Sequence, residues 1–384
     1  MSGTSADGVD AALVEIDQQN LKLIGAVNSA YPSSVREKIL KLNVDPVIGI
    51  ADLCDLEHQV SVSFIEATQA LLAKHNIDTD NVIAVGSHGQ TVFHNPTSQP
   101  ATTRAATTMQ LGNSGLIAVT LGIDTIGDFR RADMAAGGQG APLMPAFHQA
   151  MFGSDELRFV LNLGGIANIT VLGTDEVIGF DTGPANTLLD AWSNKHLGKP
   201  YDEGGQWARS GCIDEELLQA MLCDPYFKQP PPKSTGTDYF SLSWLHQFLR
   251  KNTNTVKTNT ENVQATLMEL SVQSIAESIL ACTHNTLKQS CTTQHNQKPE
   301  QAIEVLICGG GAHNTWLIEQ LEQKLPDHCV RPTNAHGIDG DYCEAMGFAW
   351  LAYRHLQRLP GNLPSVTGAS RTVVLGGSYV GKPD

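Results

Sequence analysis

The 384-residue sequence predicts an α/β protein built as two similar domains. Three observations carry that expectation. Strand-like and helix-like patterns alternate from end to end. The pattern also restarts: each half opens with a Gly-rich turn beside a strand and later has a strand ending in Gly and His, "VGSHGQ" in one and "CGGGAHN" in the other. Finally, 41% hydrophobic and 17% charged residues suffice for two cores. No short repeat accompanies the duplication, so a solenoid is excluded.

In chain order, "VDAALVEID" and "LKLIGAVNSAY" read as successive strands of a meander. Residues 51–74 place Leu53, Leu56, Val60, Phe64, Ala67 and Leu71 at helical spacing. "NVIAVGSHGQTV" reads as a buried strand running into a turn, and "LIAVTLGIDTIGDF" as a further apolar stretch. "RFVLNLGGIANITVLGTDEVIGFDTGPAN" then holds three strands separated by turns. "NTLLDAW" continues as a helix, with Pro184 suited to its first turn. A long helix is expected over 261–289, with Val263, Leu267, Leu270, Ile275 and Ile279 on one side. "IEVLICGGGAHN" is a buried strand ending in glycines, with a helix following from Thr315. The last helix starts near Tyr342, where Asp341 and Glu344 have capping-box spacing. "QPPPKSTGT" (229–237) and "CTTQHNQKPEQ" (291–301) read as loops, the second as a mobile insertion.

The formal net charge of -15 argues against general binding to nucleic acid or anionic membranes. An anionic ligand must therefore be held by local donors: backbone amides, a few Arg or Lys, or a metal. Cys54, Cys212, Cys223, Cys282, Cys291, Cys308, Cys329 and Cys343 form no C-x-x-C pair and no zinc spacing. They read as reduced thiols of a cytoplasmic protein. No secretory signal and no apolar run of membrane-spanning length is seen, so a soluble cytoplasmic protein is expected.

Three Gly-rich turns are candidates for phosphate contact: "SGTSADG" around Gly3, Thr4, Ser5 and Gly8; "NLGGIAN" with Gly164 and Gly165; and "CGGGAHN" with Gly309, Gly310 and Gly311. Glycine lets a backbone approach a phosphate closely, and a helix amino end adds unpaired N–H groups. Singly, each turn is equally explained by steric need. Three at strand ends, in two matched halves, favour a ligand. Neither a G-x-x-x-x-G-K-[ST] loop nor a G-x-G-x-x-G dinucleotide fingerprint is present. Asp181 ends a buried strand just before a helix, so it either caps helix amides or acts as a general base or magnesium-facing carboxylate. Asp7 and Asp10 are further candidates for metal or phosphate-water contact, although Asp10 lies in a strand pattern that suits a structural role. Arg130 and Arg131 are adjacent, so in an extended stretch only one faces a given side; it suits a carboxylate or phosphate, against an exposed ion pair. His88, Gln90 and His94 in "SHGQTVFHNP" are candidates for a sugar hydroxyl.

Taken together and in this order, "MSGTSADGVD", "GSHGQTVFH", "GDFRRADMAAGGQGAPLMPAFH", "NLGGIANIT", "GFDTGPANTLLDAW", "PPPKSTGTDYF" and "CGGGAHN" resemble the anhydro-N-acetylmuramic acid kinase family over nearly the whole chain. That family belongs to the sugar kinase, Hsp70 and actin superfamily. The resemblance implies two duplicated ribonuclease H-like (actin-like ATPase) domains with a central interdomain cleft. Residues 1–140 plus 346–384 would form one lobe and 141–345 the other. It implies ATP and Mg2+ as cofactors. Gly3, Thr4, Ser5, Ala6, Asp7, Gly8, Val9 and Asp10 resemble the first phosphate loop. Asn162, Gly164 and Gly165 resemble the second, and Gly309, Gly310, Gly311 and Asn314 the adenosine-side turn.

The reaction so implied, a step of bacterial peptidoglycan recycling, attacks the anomeric carbon of 1,6-anhydro-N-acetylmuramic acid with water while the released O6 takes the γ-phosphoryl group. Asp181 matches the base position. Gln90, Arg130 and Glu344 are implied sugar contacts, Arg130 at the lactyl carboxylate. Magnesium would be held mainly by the ATP phosphates, with Asp7 or Asp181 reaching it through water. A homodimer is also implied. Two departures stand out. Family members usually carry a short strand such as "YIGL" ahead of "MSGTS", whereas this sequence starts at Met1, which is expected to loosen the first loop. Ala185 stands where the family often has glycine, leaving Asp181 in place. Two other readings compete: a nucleotide-dependent binding or regulatory module, and a conventional kinase acting on a free sugar hydroxyl.

Overall fold

The computed structural model describes residues 1–3, 6–18, 20–96, 105–251, 259–291 and 302–382. Thr4, Ser5 and all of the 291–301 loop but Cys291 lie outside them. The strands, in chain order, are β1 (Gly8–Ile16), β2 (Leu21–Ala30), β3 (Val85–Gly86), β4 (Gln90–Asn95), β5 (Thr107–Leu111), β6 (Thr125–Gly127), β7 (Arg158–Leu163), β8 (Ile166–Leu172), β9 (Ile178–Pro184), β10 (Ile303–Cys308), β11 (His328–Pro332) and β12 (Gly377–Tyr379). The chain is mixed α/β and separates into two compact units, Met1–Met151 with Gly337–Asp384, and Phe152–His336. No helix among the described residues is long and apolar enough to cross a membrane.

In the first unit β1 and β2 pair antiparallel from Gly8↔Ala30 to Ile16↔Leu21, and β4 pairs antiparallel with β5. β6 lies between β3, which is parallel to it, and β12, which is antiparallel. The helix Ile50–His75 buries Leu56, Val60, Phe64 and Ala67 against this side of the chain, as its periodicity requires. The helix Cys343–Leu356 folds back onto β1 and β3, which makes the unit discontinuous in sequence. Its Gly347 is overlain by Met144, and Phe147 meets Trp350 at 5.9 Å between ring centroids, so the helix Met144–Phe152 packs here too.

In the second unit the sheet order is β11-β10-β7-β8-β9. The three strands β7, β8 and β9 form an antiparallel meander, and β10 and β11 join in parallel beyond β7. A meander followed by parallel crossovers is the ribonuclease H-like order. The helix Thr260–Cys291 packs against β9 and β8, burying Val263, Leu267, Leu270, Ile275 and Ile279 with Phe159, Leu161, Ile169 and Phe180 of the strands.

Local structure departs from the sequence reading at three places, and one stretch read only as apolar resolves into a helix and a strand. Pro184 ends β9, and the helix begins at Asn186. Ala185, Asn186 and Thr187 donate their N–H groups to the carbonyls of Gly165, Gly164 and Gly165, so the turn itself caps this helix. Tyr342 is the N-cap of the last long helix and no side chain caps it, so Asp341 and Glu344 form no capping box. "NVIAVGSHGQTV" is two short strands, because Gly89 at φ +76° turns the chain. "LIAVTLGIDTIGDF" is a helix, Ser114–Leu121, capped by the Asn113 side chain and ended by Gly122 at φ +66°, before β6.

Candidate active site

The first Gly-rich turn is built against Gln90. Gln90 is fully buried; its Nε2 donates to Gly3 O (3.1 Å) and Thr91 O (3.2 Å). The Ser2 hydroxyl shares its proton between Gln90 Oε1 (2.6 Å) and Gly8 O (2.7 Å). Ala6 N–H donates to Gly3 O, and Ala6 is held at φ +50° with no exposed surface. A left-handed non-glycine residue costs energy unless its surroundings fix it, and here they do. Gly8 has no room for a Cβ beside Ser29 O, and the buried Val9 anchors the strand that follows. Asp7 is exposed and pairs with Arg36 at 2.8 Å, while Asp10 Oδ1 accepts from Asn28 Nδ2 at 2.7 Å. Thus Gln90 props the turn with its own polar atoms, and Asp10 has the strand role its sequence position favours.

The two adjacent arginines separate. Arg131 is exposed and pairs with Asp128 at 3.3 Å. Arg130 turns inward: Nε donates to His88 Nε2 (3.0 Å) and NH1 to Gly140 O (2.8 Å). Burial pushes its guanidinium down to about 10, against the opposing pull of Glu344 and Asp133. Burial, followed by Cys343, pushes Glu344 up, with Arg130 acting the other way. None of the described residues hydrogen-bonds to the Glu344 carboxylate. His94 Nδ1 lies 3.0 Å from Thr108 Oγ1, and burial takes its pKa down to about 4.

In the second unit the other two Gly-rich turns are neighbours. Gly309 sits at φ +83°, where a Cβ would run into Asn162 Oδ1 and Leu163 O. At Gly311 a Cβ would come within 2.7 Å of Leu163 Cβ and 2.9 Å of Leu163 O. Asn186 Nδ2 donates to Leu163 O at 3.1 Å, tying the helix start to the same point. Gly310, by contrast, is exposed and has no heavy atom within 4 Å of a Cβ position. Asn314 caps the next helix, its Oδ1 accepting from Leu317 N (3.2 Å). Gly205, at φ +69°, abuts Asn314 and Trp316, so "DEGGQW" adjoins this turn, which sequence reasoning missed. Its signal was another Gly-Gly pair, here directly after Glu203.

Asp181 lies on β9 and does not cap the helix. Its Oδ2 accepts from Thr235 N (2.9 Å), and none of the described residues engages Oδ1. Its own N–H donates to Lys233 O (2.9 Å) and its carbonyl accepts from Tyr226 OH (2.7 Å). Burial pushes the carboxyl up to about 6, opposed by the Thr235 N–H and the Lys233 ammonium. Lys233 Nζ in turn sits 4.6 Å from the Tyr226 ring centre and donates to Tyr226 O and Phe227 O. Tyr226 is fixed from behind: Asp224 accepts from Tyr226 N, Tyr239 Oη and Trp244 Nε1, all within 2.9 Å. The "PPPKSTGT" loop is therefore part of this carboxylate's setting. Nothing in its own pattern announced that, because the contacts reach back more than forty residues.

An α/β chain with Gly-rich turns at its strand ends and a desolvated carboxylate left half-engaged fits one class, the phosphotransferases. Residues 1–381 match the family described as anhydro-N-acetylmuramic acid kinase, and the chain belongs to that family. A relative of that description from Photobacterium profundum is 46% identical over 381 residues, covering 99% of this chain and 97% of its own. One from Pasteurella multocida is 45% identical, covering 100% of this chain and 96% of its own. One from Xanthomonas campestris pv. campestris is 45% identical, covering 99% and 96%. Among solved structures, component A of the Acidaminococcus fermentans (R)-2-hydroxyglutaryl-CoA dehydratase is similar at TM-score 0.40 and 11% identity, over 90% of this chain and 98% of that one.

Proposed function

We propose that this chain opens 1,6-anhydro-N-acetylmuramic acid with water and phosphorylates the released O6, giving N-acetylmuramate 6-phosphate and ADP, as a cytoplasmic step of peptidoglycan recycling. The observation that carries the reading is the Asp181 carboxylate. One oxygen is fixed by Thr235 N–H, the other is unengaged among the described residues, and burial leaves it a base matched to neutral pH. Asp181 takes a proton from the water that bonds to C1. The C1–O6 bond breaks and its electron pair stays on O6. O6 then bonds to the γ-phosphorus as the bond to the leaving ADP oxygen breaks.

ATP is assigned to the Gly-rich turns: Gly309, Gly310, Gly311 and Asn314 at the adenosine side, Asn162, Gly164 and Gly165 at the phosphates, and the turn from Gly3 to Asp10 at the γ end. The amide of exposed Gly310 and the steric need for glycine at 309 and 311 support this. Arg130 is assigned to the lactyl carboxylate and Glu344 to a polar group of the sugar. Gln90 acts on this side through the turn it props. The donor set suits magnesium carried by the nucleotide: hard carboxylate oxygens are available at Asp181 and, on the surface, at Asp7, and no preformed carboxylate cage surrounds them among the described residues. Bound there, magnesium would neutralise phosphate charge. A homodimer is the proposed assembly.

The reaction is tested with labelled water. Turnover in H2(18)O places the label on C1 of the product if water opens the ring, whereas a conventional kinase on a free hydroxyl leaves C1 unlabelled. ATP consumption without a phosphorylated sugar would indicate a regulatory module. A second expectation concerns Tyr226. Tyr226→Phe keeps the ring under Lys233 but removes the hydrogen bond to Asp181 O. Losing about 1 kcal/mol of positioning is expected to lower kcat roughly 5- to 10-fold with the ATP KM unchanged. Steady-state kinetics check this, and an unchanged kcat removes Tyr226 from the positioning scheme.

A further inference from the structure

The mechanism leaves unexplained why a buried histidine and a fully buried aspartate converge on Arg130. His88 is 4% exposed, and its ring packs on Phe348 with centroids 4.4 Å apart. Its two nitrogens have opposite duties. Nδ1 is 2.9 Å from Gly89 O, so it carries the proton; Nε2 must then accept, and it receives Arg130 Nε–H at 3.0 Å. Only the neutral Nδ1–H tautomer meets both demands. Burial and the Arg130 charge hold the ring well below its ordinary pKa, which keeps it in that form.

The second arm runs through Asp133, which has no exposed surface. Its Oδ2 accepts from Gly140 N (2.8 Å), and Oδ1 accepts from Asn362 Nδ2 (2.6 Å) and Thr367 Oγ1 (2.7 Å). Gly140, at φ +69°, presents its carbonyl to Arg130 NH1 at 2.8 Å. The C-terminal segment clamps the same loop, through Gln139 N to Thr367 O and Ser370 N to Ala136 O. A guanidinium has five N–H donors. Two are committed here, and the other three, on NH1 and NH2, have no partner among the described residues. With one N–H left on NH1 and two on NH2, this end of the guanidinium retains the donors for a carboxylate held through two parallel bonds.

We propose that His88 and Asp133 are positioning residues for sugar selectivity: they lock Arg130 from behind so that its NH1/NH2 edge meets the carboxylate of the substrate. This rests on the assignment of Arg130 to the lactyl carboxylate. The two residues act through Arg130, so their effect depends on the ligand having a carboxylate. A merely structural role would weaken every sugar alike.

The experiment measures calorimetric Kd values of the full chain for 1,6-anhydro-N-acetylmuramic acid and for 1,6-anhydro-N-acetylglucosamine, which lacks the lactyl carboxylate. His88→Leu is expected to weaken the first about 10-fold, as for one lost charge-assisted hydrogen bond, and the second less than about 2-fold. His88→Gln, whose Oε1 reaches the Nε2 position, is expected to restore most of the loss. Equal weakening of both sugars by His88→Leu, or no weakening, overturns the proposal. Arg130→Met is the control: if it too weakens both sugars equally, the assignment of Arg130 fails; if it is selective while His88→Leu is not, only the positioning role fails. Should His88→Leu not fold, the isosteric Asp133→Asn is read with the same two sugars, and equal losses there are equally fatal.

Discussion

Asp181→Asn is expected to lower kcat at least about 10³-fold and at the same time to raise thermal stability. The first effect follows from its proposed role: a general base contributes about 10²–10⁴-fold, and an amide cannot take the proton from water. In the unsubstituted enzyme kcat/KM should fall as pH drops below about 6, the value to which burial pushes this carboxyl. That acid limb should vanish from whatever residual activity the variant keeps. The second effect follows from linkage. The carboxyl titrates near 3.8 ordinarily and near 6 in the fold, so between those values the native state holds the extra proton. Stability is full below the lower value, is lost as pH rises through the upper one, and stays lost at pH 7. Asparagine carries no charge to desolvate and still offers an oxygen to Thr235 N–H. The shift is nominally worth about 3 kcal/mol, but the side chain is only half-buried and solvent screens part of it, so about 1–2 kcal/mol is the working figure. For a unit of this size that is a rise in Tm of roughly 2–8 °C. A kcat within tenfold of the parent sinks the base assignment. A lowered Tm at pH 7.5 means the charged form is stabilised, contrary to the desolvation account.

The contrast between two neighbouring glycines is the second large effect. Gly309→Ala forces a Cβ into Asn162 Oδ1 and Leu163 O and holds alanine at φ +83°. Strain of about 1–3 kcal/mol from the backbone and a similar overpacking term should destabilise the second unit by roughly 3 kcal/mol and misplace the turn at 162–165. ATP affinity and Tm both fall. Gly310→Ala meets no atom within 4 Å and leaves Tm unchanged. If a phosphate or ribose lies over this turn, the added methyl still raises the ATP KM severalfold. Isothermal titration of ATP together with thermal melts separates the cases. Unchanged ATP affinity in both variants removes the "CGGGAHN" turn from the nucleotide site.

Much of this was readable from the residues alone. Periodicity over 51–74 and 261–289 gave the two long helices, because burying one apolar stripe forces the 3.6-residue spacing. Alternation and turn glycines marked β1 with β2 and the β7–β9 meander. Capping was less legible. The Asp341 and Glu344 spacing matched a box that does not form, and Pro184 closed a strand rather than opening a helix, because nearby carbonyls at Gly164 and Gly165 had already taken the helix amides. Local patterns record which side chains are able to cap, not which acceptor reaches the amides first.

What the sequence by itself determined was the alternating order of strands and helices, the Gly-rich turns at strand ends, and the candidate carboxylate ahead of a helix. These depend on neighbours a few residues away, whose chemistry is written locally. The tertiary structure alone decided what surrounds the reactive groups: Thr235 and Tyr226 at Asp181, His88 and Gly140 at Arg130, with partners 54, 45, 42 and 10 residues distant. Desolvation and hydrogen-bond geometry arise when distant segments pack, and spacing along the chain does not encode which loop arrives.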